Sequence, residues 1–300
     1  MKFKYLIIAF SIIIIFILLI TVLFPSLTAG PEFAVNFRNI ILPLLLFIFF
    51  VLVLLGTYLL LNYRLFSLLE REDWPALAYY LEHKIFIKGR YSAQNVRLLA
   101  SSYMVVSDYT SVLKLEGKAM IAKPAVVEKN ALIFGSARLL ESNYKEAAVF
   151  FKTYLGKDEW IRWFYGFSLL LGGFFSQTEQ EFLSLVSSRD VLIAGLSAYF
   201  LHNNLAKYSL KPVECGAAAE EGRNRVVKAL KNAAGWKKEV EKMRAEIHVA
   251  VIRRYIDEAG KWIFAVDNQQ PRSKGHVVLR HLYSRFNAFF KRRKNTSESL

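Results

Sequence analysis

Side chains that could carry out acid–base, nucleophilic or metal chemistry are few in this 300-residue chain, and they stand far apart. There is no glycine-rich phosphate loop, no dinucleotide-binding turn after a strand and no His-Glu-x-x-His zinc motif. The carboxylate pairs at 220–221 and 257–258 are neighbours on predicted helices, where adjacent side chains point to different faces. The five histidines are scattered along the sequence: His83, His202, His248, His276 and His281.

The single cysteine, Cys215, excludes an intramolecular disulfide and any multi-cysteine metal cluster. Its neighbours Glu214 and Gly216 do not stabilise a thiolate, so we expect a small buried residue. Residues 187–190 read as the start of a helix with Asp190 as its N-cap, not as a nucleophile. We therefore predict that the chain is not an enzyme and that it has no catalytic residue, metal site or cofactor.

Three pairs of a polar and an aromatic residue recur with a spacing of 35 residues: Asp73-Trp74, Asp108-Tyr109 and Asn143-Tyr144. A fixed spacing of this size is typical of stacked helical repeats. The polar residue of each pair suits a helix N-cap, and Asn143 with Glu146 is close to a capping box. Ala100 and Gly135 are small residues with the same spacing, which would let two helices approach closely. The pattern predicts an all-α fold that contains a helical solenoid.

This array resembles the tetratricopeptide repeat family, most clearly over residues 130–159. Gly135, Tyr144, Ala147 and Phe151 occupy that family's small, aromatic, alanine and aromatic positions. Tyr154 replaces the usual alanine, so packing onto the next unit is expected to differ. The resemblance implies a solenoid over residues 64–210, and the alternative is an irregular helical bundle with a coincidental spacing.

Other units of the array match less well. In residues 94–123, Val112 and Glu116 stand at the positions that Ala147 and Phe151 occupy in the best unit. Weaker matches with a shorter spacing follow at Gly166 and Gly195. In the tetratricopeptide family the first helix of each unit lines a concave groove. Aligning the first helices on their small residues predicts these groove positions: Gln94, Arg97 and Ser101; Lys129, Leu132 and Ser136; Trp160, Trp163 and Phe167; Arg189, Leu192 and Leu196.

The early groove positions are polar and basic, and the later ones are aromatic. Such a groove suits a peptide or helix that carries acidic and apolar residues, since aromatic side chains are typical interface anchors. The alternative is that Trp160, Trp163 and Phe167 are core residues beneath the C-terminal helices.

Residues 1–63 contain two uncharged apolar segments, 5–24 and 40–61, and about 20 such residues suffice to cross a bilayer. We predict a transmembrane hairpin, with cleavage of the first segment as a signal peptide as the alternative. Lys2 and Lys4 before the hairpin and Arg64 and Arg71 after it favour cytoplasmic termini and a cytoplasmic soluble domain, at a bacterial inner membrane. We also expect one continuous helix over residues 40–70, with a kink near Asn62 as the alternative.

Residues 211–293 depart from the repeat pattern after a break predicted at 211–216. Helices are predicted at 217–234, 236–264 and 276–290, followed by a disordered tail, 294–300. The helix at 236–264 carries one apolar stripe at helical spacing: Val240, Met243, Ile247, Val251, Tyr255 and Ile256. These helices are expected to cap the last repeat. A second role is contact with an anionic membrane surface, which the net charge of +15 favours, through basic side chains: Arg64, Arg280, Arg285, Lys291, Arg292 and Arg293.

We therefore expect a membrane-anchored helical-repeat scaffold that recruits or organises a partner protein, a second copy of itself included. One alternative is a structural subunit of a large membrane complex, such as a spirochaete flagellar collar assembly, although an outward-facing solenoid there would contradict the predicted topology. Another is a basic protein that binds a membrane surface or nucleic acid. Nucleic acid is not the expected partner, because no nucleic-acid-binding module is visible.

Overall fold

The computed structural model describes residues 31–209 and 211–265 and, ahead of them, three isolated helical positions, Ile12, Phe16 and Ile20. Every regular element in these residues is helical, which confirms the predicted all-α fold class for this part of the chain. The chain divides into two compact units, Met1–Tyr80 and Leu81–Leu300. Apart from those three positions, the predicted segment 5–24 lies outside the described residues, as do helix 276–290 and the tail.

The first unit contains α1 (Pro31–Leu61), α2 (Tyr63–Glu70) and most of α3 (Trp74–Glu82). The helix axis bends by 63° between α1 and α2, at Asn62. The Asn62 side-chain amide donates to the Tyr58 carbonyl oxygen at 2.9 Å, and its backbone N–H donates to the same oxygen at 3.1 Å. Asparagine competes with regular helical bonding in this way. The expected continuous helix over 40–70 is therefore wrong, and the alternative kink is correct.

The predicted second membrane span, residues 40–61, lies within α1. Among the described residues, no single helix is both long and apolar enough to cross a membrane. Leu46–Leu61 and Tyr63–Glu70 reach that threshold together, as a bent pair.

The second unit begins within α3, which a π-helical turn over His83–Ile87 continues. Its further helices are α4 (Ala93–Val105), α5 (Tyr109–Ala122), α6 (Pro124–Lys129), α7 (Ala131–Leu140), α8 (Tyr144–Thr153), α9 (Glu159–Leu171), α10 (Phe175–Leu185), α11 (Val191–Phe200), α12 (Pro212–Leu230), α13 (Ala233–Lys242), α14 (Ile247–Val251) and α15 (Arg253–Ile263). Four consecutive pairs pack together in this described part: α4 with α5, α7 with α8, α9 with α10, and α11 with α12. The second helices α5, α8 and α10 also pack on the first helix of the next pair, so the pairs stack in chain order.

One backbone turn recurs between α2 and α3 and between the helices of the first three pairs, α4–α5, α7–α8 and α9–α10. A residue with positive φ ends the first helix in four places: Glu72 (54°), Ser107 (61°), Ser142 (64°) and Gly173 (81°). The N–H of the following residue donates to a carbonyl five residues earlier, at 2.9–3.2 Å: Asp73 to Leu68, Asp108 to Tyr103, Asn143 to Arg138 and Phe174 to Leu169. This is the Schellman motif. The turns are 35, 35 and 31 residues apart, so the spacing seen in the sequence is also a spacing of the backbone.

The helix caps that follow these turns differ from one another. Asp73 and Asp108 are N-caps as predicted, and each carboxylate accepts a backbone N–H three residues on, at 3.1 Å. Asn143 occupies the predicted N-cap position of α8, but the predicted side-chain bond is missing, because no backbone N–H donates to its side chain. Its amide instead donates to Glu146 at 3.4 Å, so the capping box does not form. Asp190 caps α11 as predicted, accepting from the N–H of Leu192 at 2.8 Å.

Small residues on the first helices receive large side chains from the second helices. A Cβ added to Gly135 would lie 2.1 Å from the Phe151 ring, and one added to Gly166 would lie 2.8 Å from the Phe182 ring. Both pairs are 16 residues apart. At the same spacing from Ala100 stands Glu116, whose carboxylate forms a bidentate ion pair with Arg138 at 2.5 and 3.0 Å.

The C-terminal helices depart from their predicted bounds. Helix α12 begins at Pro212 and continues through Gly216, so the break predicted at 211–216 ends at Lys211. It packs on α11, where a Cβ added to Gly222 would lie 2.9 Å from Ala198. The single long helix predicted over 236–264 is wrong, because α13, α14 and α15 are separate helices there. Cys215 is buried as predicted, and burial raises the pKa of its thiol.

Candidate binding face and its C-terminal cover

The predicted groove residues fall into two sets. Those near the start of the stack are accessible: Gln94, Arg97 and Lys129 are exposed, and Ser101 and Leu132 are half-buried. Those further along are buried, with the exception of exposed Arg189: Ser136, Trp160, Trp163, Phe167, Leu192 and Leu196. Arg97 lies on first helix α4, whereas Lys129 ends the short helix α6 and Arg189 precedes α11. Only the early part of the predicted face is therefore open in the described structure.

Trp163 is a core residue and not a groove anchor. Its side chain is 0% exposed and stacks on Phe167 with ring centroids 5.1 Å apart. On the other side it stacks on Phe182, from the second helix of the same pair, at 5.9 Å. The assignment of Trp163 to an open groove is thus corrected, because the ring fills the space between α9 and α10.

Trp160 and Phe167 are also buried, and here the covering groups come from the C-terminal helices. The imidazole of His248 on α14 lies 5.1 Å from the Trp160 ring and 5.9 Å from the Phe164 ring, between centroids. The Tyr255 ring on α15 lies 5.4 Å from Phe167. The alternative that these aromatic residues are core beneath the C-terminal helices is therefore the one observed.

The C-terminal helices α13 to α15 and the residues between them form a C-terminal cover over the predicted groove. An ion pair connects this cover to the accessible start of the groove. The guanidinium of Arg97 on α4 pairs with the carboxylate of Glu246, which directly precedes α14. The two side chains are 53% and 33% exposed, so water screens the pair. Helix α14 also packs on α7. Arg97, which we predicted to bind an acidic partner, is therefore already paired with a carboxylate of its own chain.

His248 is a titratable group of this region whose pKa is strongly shifted. Burial lowers its pKa to about 4, and the positive charge of Arg97 adds to the effect. Its Nδ1 lies 3.8 Å from the Glu246 carboxylate, and its Nε2 has no hydrogen-bond partner among the described residues. At neutral pH the imidazole is therefore neutral and packs as an aromatic ring.

The end of the cover is anchored more firmly than its start. The Tyr199 hydroxyl on α11 donates to Glu258 at 3.0 Å, and burial raises the pKa of that phenol above its usual value. The indole N–H of Trp236 on α13 donates to the Ile256 carbonyl oxygen at 3.2 Å. Trp236 also fills the space beside two glycines, Gly195 and Gly260, where an added Cβ would lie within 2.8 Å of its ring.

Sequence reasoning missed Glu246, His248 and Trp236 as members of this region. Tyr255 belonged to the predicted apolar stripe of residues 236–264, but nothing local in the sequence indicates that the stripe lies on the first helices. Of the basic residues predicted to touch lipid, Arg64 lies on α2 with its guanidinium 5.5 Å from the Tyr80 ring centre. The others lie outside the described residues: Arg280, Arg285, Lys291, Arg292 and Arg293.

Within residues 31–209 and 211–265, no group of three or more histidine, cysteine or carboxylate side chains is close enough together to hold a metal ion. The Glu258 carboxylate accepts from Tyr199 and pairs with Arg254 at 2.7 Å. The absence of catalysis, metal and cofactor stays a prediction, as does the exclusion of nucleic acid.

Comparison with known proteins shows which family this chain resembles in sequence. Residues 111–265, which extend from α5 through the C-terminal cover, match the model of a family described as uncharacterised Treponema protein. A protein of Treponema pallidum (strain Nichols), described as an uncharacterized protein, is 29% identical over 223 residues, covering 70% of this chain and 71% of its own length. The family-model match includes the stacked pairs from α7 onward together with the helices that cover them. The chain belongs to this family of Treponema proteins.

Proposed function

We propose that the protein is a membrane-anchored scaffold of tetratricopeptide-like repeats that recruits or organises another protein at the cytoplasmic face of a membrane. The observation that carries the proposal is the stack of helix pairs with one recurrent Schellman turn, because such stacks present their first helices as a continuous binding face. The small-to-aromatic contacts Gly135–Phe151 and Gly166–Phe182 support the tetratricopeptide likeness.

The proposed anchor rests on the exposure of α1. Over residues 46–61, a part of α1 whose side chains the structure describes, the apolar side chains are exposed or half-buried on all sides, with Phe47 at 64%, Phe50 at 59% and Leu54 at 54%. A contiguous apolar surface of this kind calls for a covering apolar phase. A bilayer is the covering that fits a pair of long uncharged segments, 5–24 and 40–61.

The proposed partner follows from the accessible part of the binding face. Gln94, Arg97 and Lys129 are exposed there, next to half-buried Leu132. Positive charge beside partly accessible apolar surface favours a segment in which acidic residues precede an apolar anchor. Complementary charge of this kind acts mainly on the rate of association.

The experiment is affinity purification of the full chain after cross-linking in its native membranes. We expect one stoichiometric partner protein, whose yield drops when Lys129 is changed to Glu. Lys145→Glu makes the same charge change on the second helix α8 and serves as the control, with no loss expected. Recovery of no stoichiometric protein, or equal loss with both variants, would contradict the proposal.

A second candidate is a structural subunit of a large spirochaete membrane complex, built by self-association. The membership in a Treponema family favours it, since Treponema is a spirochaete genus. Mass measurement of the purified protein separates the candidates, because a subunit that self-assembles gives discrete oligomers in the absence of other proteins. A monomer that captures a different protein favours the scaffold.

A further inference from the structure

The C-terminal segment of the second unit lies where a ligand of a repeat groove would lie. Glu246 pairs with Arg97 on α4, α14 packs on α7, and His248 contacts Trp160 on α9. Further along, the Tyr255 ring lies 5.4 Å from Phe200 on α11. One segment therefore touches the first helix of each of the four pairs.

The two ends of this segment are held by interactions of different kinds. The start has a five-residue helix, an ion pair in which Arg97 is half exposed, and an imidazole whose Nε2 lacks a hydrogen-bond partner among the described residues. Helix α15 is instead held by the buried Trp236 hydrogen bond and by the part-buried Tyr199–Glu258 hydrogen bond. Opening of residues 244–252 would expose three buried side chains, His248, Val249 and Ile252. Opening of α15 would expose more, among them Tyr255, Ile256, Ala259 and Ile263, and would also break both hydrogen bonds.

We propose that residues 244–252 are a built-in occupant of the binding face, which a partner segment of matching chemistry displaces. That segment carries a carboxylate for Arg97 in the extended residue before a helical turn, as Glu246 does here, and two residues later an aromatic ring that replaces His248 against Trp160. The partner class rests on the proposed function. The occupied state lowers the apparent affinity for the partner, by the fraction of molecules in which the face is open.

The first test is hydrogen exchange on the full chain in detergent micelles. Amides of α14 exchange faster than those of α9 if residues 244–252 open on their own. Arg97→Ala speeds α14 exchange by about two- to fivefold, the range expected for a partly exposed ion pair, and leaves α9 unchanged. Lys157→Ala is the control, because it removes a comparable exposed pair with Glu128 far from α14 in the sequence.

The second test uses a synthetic peptide of residues 244–252 as the probe and measures its fluorescence anisotropy on the full chain. His248→Asp places a charge against Trp160 and weakens the chain's own segment. This variant binds the peptide about tenfold more tightly than the wild-type chain does, because its face is more often open. A peptide carrying both Glu246→Lys and His248→Asp does not bind either chain.

The inference is overturned if α14 and α9 exchange in step in wild type and in Arg97→Ala, and also if the peptide binds neither chain. Peptide binding accompanied by a concentration-dependent dimer would assign the face to a second copy's segment and overturn the choice of a different partner. If no natural partner can be purified, only the proposed function is contradicted, because the peptide-binding and hydrogen-exchange tests do not depend on a natural partner.

Discussion

At the scale of single residues, the packing of the stack depends on contacts that tolerate no added atom. The Phe151 ring sits against the backbone of Gly135, and the ring itself is 0% exposed. Gly117 is also helical but has no atom within 4 Å of an added Cβ. The same glycine-to-alanine change therefore has opposite effects at the two sites.

We expect Gly135→Ala to destabilise the protein by about 1–3 kcal/mol, because the buried ring must move. Gly117→Ala is expected to stabilise it by about 0.5–1 kcal/mol through helix propensity alone. Thermal unfolding of the full chain in detergent, followed by near-ultraviolet circular dichroism, measures both. Equal midpoints for the two variants would show that the contact between first and second helices is wrong.

The ion pair of Glu116 and Arg138 is a second residue-scale feature. Glu116 stands where the pairs α7–α8 and α9–α10 have the phenylalanines that contact Gly135 and Gly166. The Arg138 guanidinium also lies 4.3 Å from the Phe150 ring centre. Glu116→Ala leaves a largely buried guanidinium without a counter-charge, and we expect a loss of about 3–5 kcal/mol. Glu128→Ala breaks an exposed pair and is expected to cost about 0–1 kcal/mol. Urea unfolding of both variants compares the losses, and a small loss for Glu116→Ala would mean that water reaches Arg138.

His248 predicts a dependence of stability on pH. Its pKa is about 4 in the folded chain and about 6.5 when exposed, so the unfolded chain binds the additional proton between these values. Stability from this residue is full above pH 6.5 and falls as the pH drops towards 4, by about 3 kcal/mol.

The check is thermal unfolding at pH 7 and pH 4.5 for wild type and His248→Gln, which cannot titrate in this range. We expect a smaller difference between the two pH values in the variant. An unchanged difference would mean that carboxylates, and not this imidazole, set the acid sensitivity of the chain.

At the scale of elements, the repeat was predictable because its signals are local. Asp73 and Asp108 stand at fixed distances after each first helix, and they cap the second helix as the sequence indicates. The turn residues before them, Glu72 and Ser107, were not anticipated, since neither is glycine and both have positive φ. Backbone hydrogen bonds of the Schellman motif override the side-chain preference there.

The C-terminal helices were predicted to cap the last repeat, but their contacts with the earlier pairs could not be predicted, because these contacts join residues far apart in the chain. Arg97 and Glu246 are 149 positions apart, and no periodicity links them. The apolar stripe over 236–264 was visible, but it gave a single helix where three exist. Asn232, whose side chain accepts from the Gly235 N–H at 3.0 Å, marks the start of α13 two residues before the predicted end of the preceding helix.

At the scale of the whole molecule, the chain consists of an apolar N-terminal unit followed by a basic helical unit. The proposed topology, with both termini on one side of the membrane, rests on the basic side chains that flank the apolar segments. A bilayer around α1 and a partner on the first helices would together make the chain a fixed recruitment point.

The measurement that tests this account most directly is cysteine accessibility in intact cells. Cysteine is introduced at Thr28, at Asn36 or at Ser297 in a Cys215→Ala background, and the cells are treated with a reagent that does not cross the membrane. The account predicts labelling at Thr28 and Asn36, and labelling at Ser297 only after the cells are opened. Labelling of Ser297→Cys in intact cells would contradict it.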